Sequence, residues 1–220
     1  MSKQNQPLKP AAGNRRVEQG AQSRARLIAS ARALFEREGY AATSTEALLA
    51  ATGLTRGALY HHFRDKKDVF VAVCEAVHQD LSAAIDGAVQ DIADPFEQLV
   101  AGALAWIDAI SCPGPCQVLL IDGPSVLGAA QWAALDDRYG YRQLRAVVGE
   151  VLTAMVPQGE GLSVLQVDVT AAALNGAVNE LALWLARQAS QGDASARQQA
   201  RNAAQLALRR LCATLRLPPT

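Results

Sequence analysis

The 220-residue chain predicts an all-α protein: a small N-terminal three-helix head followed by a longer helical body. Three observations carry this. Apolar residues recur at three- and four-residue steps through most of the chain. The periodic stretches are punctuated by Ser, Thr or Asp in front and Gly or Pro behind. The last two stretches are alanine-rich with wide apolar faces. In order, residues 1–20 mix proline, glycine, glutamine and basic residues without an apolar period, and are expected to form a disordered basic arm. From Ser23, Leu27, Ile28, Ala31, Leu34 and Phe35 mark one helix face, which closes at Gly39. Capping residues at 43–45 open a short helix over Glu46 to Thr52, with Leu48 and Leu49 inward and Gly53 as its stop. Thr55 can cap a third helix through Phe63. Lys66 opens a long fourth one with Phe70, Val73, Val77, Leu81, Ile85, Val89 and Ile92 on one face.

The remaining elements are read in the same way. After Asp94 and Pro95 a fifth helix carries Phe96, Leu99, Val100, Ala103, Ile107 and Ile110, and the Pro113-Gly114-Pro115 turn ends it. Val118 to Pro124 is expected to end in a helix stop, and another helix is expected from about Gln131 to Met155. The last two run from about Leu162 to Ala189 and from Ser195 to Leu215. The boundaries expected are an arm over 1–20, a head over 21–68 and a body over 69–220.

Charge is partitioned although the total is zero. Met1 to Phe70 holds 12 Lys and Arg against 6 Asp and Glu, a net +6, and Val71 to Thr220 holds 9 against 15, a net −6. One end is therefore suited to a polyanion. No charge-free stretch exceeds 13 residues, short of the roughly 18 that span a bilayer, and no secretory signal is visible. No membrane partner and a cytoplasmic location are expected.

Two short helices joined at a glycine, with a third in front, form a helix-turn-helix, whose second helix lies in the DNA major groove. Leu48, Leu54 and Leu59 fall at the inward positions that lock the pair, and Gly53 at the turn where a positive φ is needed. The run from Gly39 to Thr45, then Gly53-Leu54-Thr55-Arg56-Gly57-Ala58-Leu59-Tyr60-His61-His62-Phe63 and Lys66, resembles the TetR/AcrR family of transcriptional regulators. The specific resemblance covers about residues 23–72; Leu49 and Thr52 depart from the family pattern. It implies a DNA-binding head, an effector-binding helical body and a homodimer, usually a repressor released from its operator by a small molecule. By the same resemblance Ser44, Thr55, Tyr60, His62 and Lys66 stand where phosphate contacts are made. Short donors and cations at helix N-termini suit that task. Base reading falls to the outward side chains Arg56, Ala58 and His61, with Thr45 on the second helix. Arg56 leads, since a guanidinium can bind guanine O6 and N7 together, with phosphate contact as its alternative.

In the body, Trp106, Ile110, Trp132, Tyr141, Arg145 and Asn179 combine apolar walls with polar tips and are the candidate effector site. Asn175, Asn179 and Glu180 sit in an apolar helix, where a structural hydrogen bond competes with a ligand contact. From Val69 to Asp137 there is no Lys or Arg but ten acidic residues, which slightly favours cationic or neutral amphiphilic ligands; carboxylates that merely face water and keep the body away from DNA phosphates are the alternative. Gly176, Leu181, Trp184, Leu208, Leu211 and Leu215 are the candidate dimer interface, docking as a four-helix bundle; burial within one chain is the alternative.

Enzymatic chemistry finds no support in the sequence. There is no GxSxG, HExxH, GxGxxG or Walker pattern, and adjacent His61 and His62 diverge by about 100° around a helix, too far to chelate one ion. No metal or cofactor is expected. Cys112 and Cys116, flanking the Pro-Gly-Pro turn, leave open a redox-responsive regulator or adaptor as the alternative function.

Overall fold

The computed structural model describes residues 12–156, 161–189, 191 and 193–216, with side chains from residue 20 onward. All regular structure among them is helical. The first helix, α1, spans Ala12–Ala42. It therefore begins inside the stretch expected to be an arm, of which residues 1–11 lie outside the described residues. At Gly39 the backbone turns through φ 78°, ψ 166°, a conformation closed to side-chain-bearing residues, so the helix breaks where its apolar face ends. α2 (Thr45–Thr52) and α3 (Arg56–His62) follow. Ser44 Oγ accepts the Ala47 amide at 3.0 Å and Thr55 Oγ1 that of Ala58 at 3.3 Å, so both helices start on side-chain caps. Gly53 joins them at φ 66°.

α4 (Lys66–Val89) is capped by Asp65 and packs against α1 and α5 (Pro95–Ile110). The chain then bends by 93° into α6 (Pro113–Cys116). The helix stop expected at Gly123-Pro124 does not occur there. A π-turn over Gln117–Asp122 widens the spiral and carries it into α7 (Gly123–Leu127), with Pro124 in the first turn, where no amide partner is needed. The break falls instead at Gly128, φ 78°. α8 (Ala129–Asp136) runs through a second π-turn, Asp137–Tyr141, into α9 (Arg142–Met155). α10 (Val164–Ala189) and α11 (Ala194–Thr214) complete the body.

The buried side chains form two clusters. One joins Leu27, Phe35, Leu48, Leu59 and Phe63 of the head to Val73, Val77, Val118 and Leu119, so the head core runs into the body without a gap. The other unites α5 and α9 to α11 around Ile107, Val148, Leu174 and Leu208. α10 is long and apolar enough by length and composition to cross a bilayer; Asp168 and Glu180 interrupt its charge-free run, and it packs on α5, α9 and α11.

Candidate DNA interface and effector cavity

Leu48 and Leu59 are buried and Leu54 is half-buried against them, which locks α2 on α3 and turns the rest of α3 outward. Thr52, a departure from the family pattern, is accommodated by hydrogen bonding: its hydroxyl donates to the Leu48 carbonyl at 2.9 Å. Arg56, Tyr60 and His61 are exposed, while Ala58 and His62 are half-buried. Ser44 and Thr55 are exposed at neighbouring helix starts; accepting a cap bond leaves each hydroxyl proton free to donate to an anion. Thr45 is half-buried in the first turn of α2. Arg56 Nη2 donates to Glu46 Oε1 at 2.6 Å, with both side chains exposed. A pair in such solvent is worth at most about 1 kcal/mol, so Arg56 can exchange it for a base edge at little cost.

Lys66, expected among the phosphate contacts, turns its ammonium toward the head's own backbone. Its Nζ donates to the Tyr40 and Thr43 carbonyls, each at 2.7 Å, and lies 4.0 Å from the centre of the Tyr40 ring. The ammonium is a strut for the turn between α1 and α2. Burial holds its pKa below the ordinary lysine value, and the Asp122 charge opposes that shift. Asp122, in the first π-turn, accepts the Tyr40 amide through Oδ2 at 2.8 Å. One turn of the head is thus held from α4 by Lys66 and from the body by Asp122. The sequence reading missed Asp122, because the two residues joined are 82 positions apart.

The body holds a cavity of about 280 Å³, open to solvent on one side, between α4, α5, the second π-turn, α9 and α10. Of the expected residues, Trp106 and Tyr141 line it. The other four do not. Ile110 is wholly buried in the core that joins head and body. Trp132 packs beside the His78 ring, 5.7 Å between centroids. Arg145 Nε is paired with Asp168 Oδ1 at 2.5 Å, and Asn179 Oδ1 accepts the Trp106 indole N–H at 3.1 Å, the structural hydrogen bond of the two alternatives. In their place the wall is built by Ile85, Val89, Leu99, Ala103, Leu144 and Val147, with Asp136 and Asn175 as polar groups. Asn175 Nδ2 donates to Asp136 Oδ2 at 3.2 Å, and burial raises the Asp136 pKa above the ordinary carboxylate value. The apolar face of α4 in the sequence already contained Ile85 and Val89; their period does not distinguish a cavity wall from core.

Leu208, expected at the dimer interface, is fully buried in its own chain, and Leu181 and Leu215 pack half-buried on the same cluster. Gly176, Trp184 and Leu211 remain exposed, joined by Val169 and Leu206. Cys112 is exposed and Cys116 buried, and both are free thiols. Burial raises the Cys116 pKa, opposite to the shift a reactive thiol needs, which leaves the redox alternative without support. Among the described residues no cluster of His, Cys, Asp or Glu is placed to hold a metal ion.

A capped helix-turn-helix carried on an α4 that also walls a body cavity defines a helix-turn-helix regulator whose DNA-binding head sits on a separate helical body. Residues 27–73 match the family described as bacterial regulatory proteins, tetR family, and residues 96–211, more than half of the chain, match the tetracyclin repressor-like C-terminal domain. The chain belongs to the TetR family of transcriptional regulators. It is 27% identical to a TetR-family transcriptional regulator of Pectobacterium atrosepticum, whose crystal structure superposes with a TM-score of 0.69 over 92% of this chain and 98% of that one. The transcriptional repressor AcnR of Corynebacterium glutamicum is 41% identical over 51 residues, and the regulator AcrR of Shigella flexneri 40% identical over 62. Those matches take in 23% and 28% of this chain and only 27% and 29% of the two relatives.

Proposed function

We propose that this chain is a homodimeric repressor that leaves a palindromic operator when a small, largely apolar effector enters the body cavity. The observation that carries the reading is the double role of α4. Its first residue, Lys66, holds the turn of the head, and Ile85, Asp86 and Val89 near its other end form a wall of the cavity. Over its 24 residues, about 36 Å, a displacement at the cavity is delivered to the head. The effector must prefer the body conformation that sets the heads at the wrong separation, since equal affinity for both states shifts nothing.

In this reading Arg56, Ala58, His61 and Thr45 face base edges, and Ser44, Thr55, Tyr60 and His62 face phosphates. The exposed stripe of Val169, Gly176 and Trp184 on α10, with Leu206 and Leu211 on α11, packs on the same stripe of a second copy. The heads of the dimer then meet successive major grooves about 34–36 Å apart. A cavity-filling substitution tests release without a known effector. Ala103→Trp, pointing a bulky side chain into the space, should weaken operator binding while the dimer and its melting temperature persist. Unchanged operator affinity in a folded dimer would show that the cavity does not communicate with the head.

A further inference from the structure

The polar groups of the cavity are one-sided. Asp136 and Asp86 face it with no Lys, Arg or His in its lining, and the other polar members are neutral, Gln98, Gln143 and Asn175 with the Trp106 and Tyr141 tips. The nearby arginines are committed elsewhere: Arg138 to Glu75 at 3.1 Å, Arg142 to Asp137 at 2.6 Å and Arg145 to Asp168 at 2.5 Å. α4 and α5 supply no cation beyond the first turn of α4, because Val69 to Asp137 contains no Lys or Arg. Asp136 is left with one neutral partner, Asn175, which engages Oδ2 and holds the carboxyl group in place. Among the described residues Oδ1 takes no hydrogen bond from a side chain. A half-buried carboxyl group without a counter-ion is costly to ionise, and the cheapest remedy is a cation that arrives from outside. Around it Leu99, Ala103, Leu144, Val147 and Val178 offer only apolar contact.

We infer that the effector is a cationic amphiphile, a compact apolar frame bearing a protonated amine that docks on Asp136 beside Asn175. This rests on the reading of the cavity as the effector site. An ammonium supplies both the missing charge and an N–H donor for Oδ1, and a carboxylate ligand is repelled by Asp136 and Asp86 together.

Isothermal titration of the full chain with phenylbutylamine, phenylbutanol and phenylbutyrate compares three head groups on one frame. The amine should bind about tenfold or more tighter than the alcohol, and the carboxylate most weakly. Asp136→Asn should bring the amine down to the alcohol's affinity and leave the alcohol where it was, whereas Asp86→Asn should keep most of the preference. A second measurement needs no variant: amine affinity should climb as pH rises through the raised Asp136 pKa and then level off, with the alcohol flat. The ionisable groups beside Asp136 are Asp86 from α4, Asp137 from the π-turn, paired with Arg142, and the Tyr141 phenol; α5 contributes neutral side chains, α9 Gln143 with Arg142 and Arg145, and α10 Asn175 and Val178 with Asp168, which Arg145 holds in an ion pair. Equal binding of amine and alcohol, or an amine preference that survives Asp136→Asn, overturns the cation and leaves the cavity reading standing. Tighter binding of the carboxylate does the same. Binding of none of the three overturns the cavity as effector site as well.

Discussion

Lys66→Met separates a strut from a phosphate contact, because the two roles move different observables. The substitution keeps the apolar stem and removes an ammonium that donates to two carbonyls at 2.7 Å each. Bonds to a charged group contribute about 1.5–3 kcal/mol each when desolvated. Lys66 is only half-buried, and water can reach the vacated carbonyls, so the pair is worth about 2 kcal/mol in all. For a chain of this size that lowers the melting temperature by about 4–8 °C. The salt dependence of operator binding should keep its slope, since no phosphate partner is lost. If Lys66 instead neutralised a phosphate, the slope of log affinity against log salt would fall by about 0.9 per head. Thermal unfolding followed by circular dichroism, with operator titrations at several salt concentrations, reads both quantities. An unchanged melting temperature together with a reduced slope would refute the strut.

Three further substitutions probe the remaining parts. Arg56→Ala should leave stability within about 0.5 kcal/mol, because its Glu46 pair is exposed, and should relax discrimination at one base pair per half-site by about 1–3 kcal/mol in competition binding. His78 lies buried among Trp106, Trp132 and Tyr139 with neither ring nitrogen hydrogen-bonded, and burial lowers its pKa to about 4. The unfolded chain therefore takes up a proton that the folded chain refuses. Stability from this group is complete above the ordinary value of 6.5 and falls, by about 1.4 kcal/mol per pH unit, as pH drops from there toward 4. Urea unfolding of His78→Phe across that window should lack this component. Leu206→Glu places a charge in the exposed stripe of α11 and should yield a monomer by sedimentation, with operator affinity lost and melting of the isolated chain little changed.

The head was legible because its signals are local. Ser44 and Thr55 cap helices that begin one residue later, and Gly53 sits at the positive φ that its place between two short helices requires. The arm was misjudged at 12–20, where a helix continues without an apolar face to announce it. Lys66 shows the limit of position-by-position reasoning: its place at a helix start suits a phosphate, but the turn at Tyr40 and Thr43, more than twenty residues away, takes its protons first. The cavity was the least legible part. Ile110 and Leu144 carry the same apolar period, and only packing decides that one is core and the other a wall. Gly123-Pro124 reads as a stop in sequence because a π-turn, which absorbs the missing amide, has no local signature.

The central claim, sequence-specific DNA binding through α2 and α3, is tested most directly by titrating the purified protein against the intergenic DNA beside its own gene, at two salt concentrations, with random duplex as competitor. Tight, salt-dependent binding that survives the competitor is expected, and it is lost when α3 is broken in its interior by Tyr60→Pro. Binding no stronger than to random duplex, across this DNA and a randomised library, would contradict it.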